Sequence, residues 1–367
     1  MKILYISALE GGKYTGPIYS VPSQIINQRI YDDVYWINTT NIENASMFDK
    51  ELYHYCNWNN SAEKKHILKK IKWADLVVFE EFFKIECCII GRWTEKYKKP
   101  YIIIPRCQMT DDYFKHKNLK KKIASLLLFN HFCRKSLAIQ FLTKQEQKDS
   151  RNYFAGKSII LPNGVNQPSN ISDKKNWPNS RNGVFIGRYG IWQKGIDLLI
   201  KAISDDRDII EKNNVIFEFY GPNDRTSDPG EIKELVLKNG LKKIVRINGP
   251  VFDEEKEKVL NNACFFVLTS RFEGMPMGVL QALSYGVPCL VTKGTNVSDD
   301  IQEDHAGWYG GSSSKDIANA INGLIEDINS SDYLSFRSGA LRVAEKYSWK
   351  EIAKRSHNVY SDLVKIL

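Results

Sequence analysis

The feature that most constrains this chain is a set of short apolar runs that do not alternate with polar residues. KILYIS, DLVVFE, YIIIP, AIQFLT and SIILP lie in the first half, and GVFIG, VIFEFYG, KIVRING, CFFVLTS and PCLVT in the second. Each is rich in β-branched or aromatic residues and is flanked by turn residues or helical patterns. Successive side chains of a strand point to opposite faces, so a strand without alternation is apolar on both and must be covered on both. Helices packed on both faces of a parallel sheet provide that cover. The expected fold class is therefore α/β, built from βα units. At 367 residues the chain is too long for one ordinary core. The stretch NQPSNISDKKNWPNSRN, Asn166 to Asn182, is rich in Asn, Ser and Pro and poor in apolar residues, which marks a linker near the middle. Two Rossmann-like domains follow, with the carboxyl ends of their parallel sheets expected to face each other across a cleft.

Hydrophobic residues make up 43% and charged residues 26%, globular values that exclude a disordered or fibrous class. No apolar run approaches the roughly eighteen residues of a membrane span. The start, MKILYISALEGG, lacks the long apolar core of a signal peptide and reads as a first buried strand. Seven cysteines without metal-ligand spacing suit a reducing cytosol, and Cys87 and Cys88 sit in apolar sequence as small buried side chains. A net charge of +9 implies an anionic partner without choosing among nucleic acid, phospholipid and phosphorylated substrate. Nucleic acid is disfavoured, because the basic residues are not interleaved with aromatics in any recognisable module. Part of the charge is local: Lys115, Lys117, Lys120, Lys121 and Lys122 precede the apolar run Ile123 to Phe129. On a helix this gives a basic end and an apolar body, the composition of a surface that leans on anionic lipid. A core helix with a solvated charged end has the same composition.

The chemistry concentrates at strand ends in the second half. In GVFIGRYGIWQKGIDLLIKAI a strand runs into Gly187 and Arg188, and Lys194 with Gly195 opens a helix. A forked guanidinium and an ammonium on one side of a turn clamp a diphosphate well. Surface charges flanking a helix start have the same pattern. SRFEGMPMGVLQALSYGVPCLVT repeats the layout: a strand, then a loop holding Glu273, Gly274 and Met275, then Pro276 at the expected first helical position. The amides of Met277, Gly278 and Val279 would form an anion site at that helix start. Gly278, having no side chain, would let a ligand approach closely. Gln281 would sit roughly 7–8 Å along the helix, placed for another part of an extended ligand. A carboxylate capping its own helix explains Glu273 alone but not the accompanying Gly, Pro and upstream clamp.

These residues resemble the retaining glycosyltransferases of family 4, glycosyl transferases group 1, with the GT-B fold. The resemblance runs through GRYGIWQKG, EGMPMGVLQALSYGVPCLVT and the LPNGV of Leu161 to Val165. It implies an N-terminal acceptor-side domain of residues 1–165, joined by a C-terminal crossover helix of 347–367. A nucleotide-sugar-binding domain would occupy 166–346. It also implies that Glu273 contacts the transferred sugar. Gln281 stands where such enzymes carry a second glutamate that holds the ribose hydroxyls. Arg188 and Lys194 would bind the donor diphosphate. The family's glycine-rich loop after the first strand is matched by ALEGGKYTGPIYSVPSQI, with Gly16 the best match and Gly11 and Gly12 before it. A plain strand-to-helix turn is the competing reading there. The family's histidine at the end of a first-domain strand is missing, and Arg106 of YIIIPRCQMT stands in its place.

What the resemblance implies is transfer of a sugar from a nucleotide sugar, UDP by family frequency, to a hydroxyl of a glycan or lipid-linked acceptor. The anomeric configuration would be retained, in bacterial surface polysaccharide synthesis such as capsule or O-antigen. No cofactor and no divalent metal is expected. The one Asp-x-Asp, Asp206 to Asp208, follows a helical segment rather than a strand end and reads as surface. The expected location is the cytoplasm, with the Lys120, Lys121 and Lys122 stretch suggesting the inner face of the membrane. A sugar phosphorylase, a nucleotide-sugar epimerase and a degenerate partner of an active transferase remain as alternative readings. Gln281 and Arg106 motivate the last.

Overall fold

The structure is a computed structural model of the chain. It describes residues 1–10, 16–41, 51–110, 129–150, 156–168, 171, 181–222, 230–330 and 333–366. The chain divides into two compact units, Met1–Gly164 with Trp349–Leu367, and Val165–Ser348. Each is built on its own parallel sheet.

The first unit contains β1 (Lys2–Ser7), β2 (Asp33–Asn38), β3 (Tyr53–Tyr55), β4 (Leu76–Glu80), β5 (Tyr101–Ile104), β6 (Ala138–Phe141) and β7 (Ser158–Ile160). They form one sheet in the order β3-β2-β1-β4-β5-β6-β7, every pairing parallel. β4, β5 and β6 are buried along their whole length, including the polar Glu80 that ends β4 and Gln140 within β6. Ile67 and Ile71 of the helix Ser61–Trp73 cover the sheet, as do Cys87, Cys88 and Ile90 of the helix Ile85–Lys96. The two neighbouring cysteines are therefore small buried side chains, and the described cysteines are free thiols. The helix Trp349–Lys365 also belongs here. It packs on the helix Gly16–Gln28, and its Tyr360 hydroxyl donates to Gln140 Oε1 at 2.5 Å.

The second unit contains β8 (Asn182–Ile186), β9 (Ile216–Tyr220), β10 (Val245–Asn248), β11 (Phe265–Leu268), β12 (Cys289–Val291) and β13 (Gly307–Tyr309). Their order is β10-β9-β8-β11-β12-β13, again parallel throughout. All ten apolar runs are strands. The strands they missed are β2, β3 and β13. β3 and β13 are three-residue edge strands with partly exposed residues, and β2 opens on the exposed Asp33 before reaching buried Trp36 and Ile37. Strands covered on only part of their length do not carry a continuous apolar signal.

Both orders reverse once: between β1 and β4 in the first unit, and between β8 and β11 in the second. Connections on either side of such a reversal leave in opposite directions, opening a crevice at the carboxyl ends of the two strands. Polar residues enter the buried sheets at these ends. Ser7, Asn38 and Glu80, the last residues of β1, β2 and β4, are all fully buried. Among the described residues no helix is long and apolar enough to cross a membrane. The lysine-rich stretch Lys115 to Lys122 and the glycines Gly11 and Gly12 lie outside the described residues.

Candidate active site at the β8–β11 switch point

The loops after β8 and β11 flank the reversal of the second sheet, and they are bound to each other. Gly195, at the N-cap of the helix Ile196–Asp205, has φ +60. A Cβ there would lie 2.0 Å from the carbonyl oxygen of Thr269. Only glycine meets both demands, the left-handed backbone and the close approach of the two loops. The Thr269 hydroxyl donates to the Gly195 carbonyl at 2.9 Å. Arg271 grips Asp197 through two hydrogen bonds of 2.7 Å and donates to the Trp192 carbonyl at 2.6 Å. Its guanidinium also lies over the half-exposed Trp192 ring, 5.5 Å from the centroid. Bidentate pairing of this kind fixes orientation as well as distance.

This scaffold brings Lys194 to Glu273. The ammonium lies 2.6 Å from Glu273 Oε1, with side-chain exposures of 15% and 10%. Ser270 Oγ donates to the same oxygen at 2.6 Å. Asn296, itself at φ 64, donates to the Glu273 carbonyl at 2.5 Å and to the Gly274 carbonyl at 3.3 Å. Arg188 is half-buried, its Nη2 3.4 Å from Gln193 Oε1. Gly187 closes β8 by donating to the Tyr220 carbonyl at 2.9 Å. Arg188, Lys194 and Glu273, the three charged residues singled out in sequence, thus lie on two loops held together at one switch point.

The helix start behind Glu273 differs in detail from expectation. Pro276 is the N-cap, and the helix runs Met277–Ser284. The Val279 amide donates to the Pro276 carbonyl at 2.9 Å, so it is not an open donor as the sequence suggested. Among the described residues no backbone acceptor meets the amides of Met277 and Gly278, which leaves two N–H groups at the positive end of the helix dipole. At Gly278 a Cβ would meet the Ile186 carbonyl oxygen and Phe266 Cζ, each at 3.2 Å. The glycine is therefore set by packing of the helix start on β8 and β11. Met275 is buried, and Gly274 and Met277 are half-buried.

Gln281 lies one turn into this helix and is half-buried. Lys256, in the first turn of the helix Asp253–Asn262, donates from Nζ to Gln281 Oε1 in a short hydrogen bond. Burial lowers the Lys256 ammonium to about 8. Sequence reading missed Lys256 because DEEKEKVL looks like a solvated charged helix. It also missed Ser270, Asn296, Arg271 and Asp197, whose roles exist only once the loops meet. No periodicity or spacing encodes that meeting.

Two candidate residues lie in the first unit. Gly16 begins its helix, and a Cβ there would meet open space, so no close approach requires glycine. Arg106 is buried at the carboxyl end of β5. Nε donates to Glu80 at 2.8 Å, Nη1 to Ser20 and Asn163 at 3.1 Å each, and Nη2 to Gln24 at 2.9 Å. Asp206 lies between the helices Ile196–Asp205 and Arg207–Lys212 and is bonded to Asn322 at 3.1 Å, while Asp208 is exposed in the first turn of the second helix.

The second unit is thus a doubly wound parallel sheet whose switch point carries two cations, a held carboxylate and a helix start. Residues 180–327 of that unit match the family model described as glycosyl transferases group 1. The chain is 28% identical over 178 residues to an uncharacterized glycosyltransferase of Methanocaldococcus jannaschii, covering 48% of this chain and 44% of the relative. It thus spans less than half the length of that curated relative. Over the whole chain the fold is the GT-B type. The Anabaena protein HepE, solved with UDP, superposes with a TM-score of 0.76 at 16% identity, covering 99% of this chain and all of the other. The pneumococcal O-GlcNAc transferase GtfA, solved with UDP and GlcNAc, superposes at 0.74 with 11% identity, covering 99% of each chain.

Proposed function

We propose that the protein is a retaining glycosyltransferase that moves a hexosyl group from a nucleotide sugar to a hydroxyl of a glycan or lipid-linked acceptor. The observation that carries this reading is the Lys194–Glu273 contact of 2.6 Å between two loops that flank the switch point, beside Arg188 and the two open amides of Met277 and Gly278. Four groups that bind or orient anions, together with one carboxylate, suit a donor with a diphosphate joined to a sugar. UDP is the favoured nucleotide, since HepE and GtfA were solved with it.

In the proposed reaction the bond between the sugar C1 and the phosphate oxygen breaks as the acceptor oxygen bonds to C1 on the same face. The acceptor proton passes to the departing phosphate oxygen. Arg188, Lys194 and the helix amides stabilise the negative charge that grows on the diphosphate, a preorganised electrostatic contribution. Glu273, with Oε1 held by Lys194 and Ser270, presents Oε2 to the hydroxyls of the transferred sugar. None of these steps calls on a metal or a cofactor. A role in surface polysaccharide synthesis at the inner membrane face completes the proposal, motivated by the net charge of +9 and the Lys120 to Lys122 stretch.

The test is incubation of the purified chain with a panel of UDP- and GDP-sugars and oligosaccharide or lipid-linked acceptors, with the product linkage read by NMR. The expected result is release of nucleoside diphosphate and a product with the donor's anomeric configuration. Inverted products would overturn the retaining assignment, and phosphate-dependent turnover would favour a phosphorylase.

A further inference from the structure

The pairing of Lys256 with Gln281 has a chemical consequence for the donor, resting on the proposed donor reading and on the ribose contact that the family resemblance implies for position 281. An ammonium group only donates hydrogen bonds, so Lys256 fixes the orientation of the Gln281 amide, with Oε1 toward Nζ and Nε2 away. Both residues lie in the first turn or so of helices that follow β10 and β11, and such helices begin at the carboxyl edge of a parallel sheet. The hydrogen-bond acceptor of Lys256 Nζ is this neutral amide, and Asp253 adds a longer-range attraction. What the pair offers a ribose hydroxyl is the neutral Nε2 N–H of Gln281, held outward by Lys256.

A carboxylate at position 281 would act in the opposite sense. It would accept from both ribose hydroxyls in charge-assisted bonds, and loss of one hydroxyl would strand a charged oxygen. A half-buried amide whose oxygen is already occupied loses one neutral bond in the same event. The hydroxyl is met as an acceptor, and any other acceptor or a water serves in its place.

We propose that Lys256 and Gln281 form a donor-only subsite that tolerates loss of a ribose hydroxyl, so the substrate class extends to sugars carried on deoxyribonucleoside diphosphates. Lys256 acts as a positioning residue for Gln281, and Gln281 determines the specificity.

Calorimetric titration of the full chain with UDP, 2′-deoxy-UDP, GDP and 2′-deoxy-GDP tests this directly. Because one neutral hydrogen bond is at stake, the ribo and deoxy forms of the better base should bind within about fivefold of each other. In Gln281→Glu, which restores an acceptor for both hydroxyls, the ribo form should be favoured by about tenfold or more. Lys256→Met should leave overall unfolding intact and change the ribo-to-deoxy ratio, since the amide is then free to turn its oxygen to the ligand. A wild-type preference for the ribo form above about thirtyfold would overturn the inference while leaving the donor reading standing. An unchanged ratio in Gln281→Glu would also overturn it. Binding of none of the four diphosphates would overturn the donor reading and this inference together.

Discussion

The two sheets each reverse strand order once, yet the charged residues at their carboxyl ends are used differently. In the second unit the loops after β8 and β11 hold Lys194, Arg188 and Glu273 half-buried, with the helix start of Met277 and Gly278 beside them. In the first unit, next to the β1–β4 reversal, Arg106 is 4% exposed and bonded to Glu80, Ser20, Asn163 and Gln24. The backbone there is bent through left-handed positions at Glu81 (φ 83), Arg106 (φ 48) and Cys107 (φ 65). Burial raises the carboxyls of Glu80 and Glu81, the latter to about 7. One switch point holds its charged side chains half-buried on two loops, with Lys194 and Glu273 paired to each other. The other spends an arginine on an internal network and stores strain in the loop ends. The lesson is that a residue of the right type at the right strand end is not yet a ligand-binding residue. What sets Arg106 apart is that all three of its guanidinium nitrogens are engaged by buried partners within its own unit.

That contrast can be broken most severely at Gly195. Gly195→Ala forces a Cβ into the Thr269 carbonyl at a left-handed position, so it should separate the two loops. We expect loss of about a hundredfold or more in turnover, since misplaced catalytic groups cost that much even for small displacements. A stability loss of about 2 kcal/mol or more should accompany it, measured by urea unfolding. Arg106→Met should show the opposite balance. Leaving Glu80 buried without its cation is expected to cost about 3–5 kcal/mol in stability. Nucleotide affinity, measured by calorimetry below the unfolding midpoint, should change by less than about threefold. Arg106 as a donor-sugar ligand would instead weaken donor binding with little stability loss.

A smaller effect comes from Glu81. Its pKa is raised by burial from an ordinary 4.5 to about 7, so the folded chain holds this proton more tightly than the unfolded chain. Its contribution to stability is therefore greatest below about pH 4.5 and declines as pH rises to about 7. Glu81→Gln should be more stable than wild type at pH 8, by up to about 3 kcal/mol, and indistinguishable near pH 4.5. Thermal unfolding at the two pH values measures this. A prediction about binding to membranes concerns Lys120, Lys121 and Lys122. Changing all three to Gln should weaken sedimentation with anionic liposomes by about 1 kcal/mol per lysine and leave turnover on a soluble acceptor unchanged. Unaltered liposome binding would remove the membrane reading of that stretch.

Much of this architecture was legible in sequence, for a physical reason. A strand buried on both faces must be apolar throughout, so KILYIS or CFFVLTS announces itself without knowledge of its neighbours. Edge strands such as Tyr53–Tyr55 and Gly307–Tyr309 carry no such demand and stayed hidden. At the site, Arg188, Lys194 and Glu273 were legible because each lies in a loop between a strand and a helix start. Asn296, Arg271 and Lys256 were not, since their partners lie 23, 74 and 25 residues away and depend on which strands become neighbours, and Ser270, three residues from Glu273, carried no spacing signal. Gly278 was read as space for a ligand, and it also lets its helix start pack closely on β8 and β11. A missing side chain looks the same in sequence whichever neighbour requires its absence.

The central claim is that Glu273 serves the transferred sugar, while the cations and helix amides serve the diphosphate. It is tested most directly by measuring transfer rate and UDP affinity side by side in Glu273→Ala, with folding checked by thermal unfolding. The account predicts a loss of transfer of about a hundredfold or more, with UDP affinity within a few-fold of wild type. Turnover near wild type in a folded variant would contradict it.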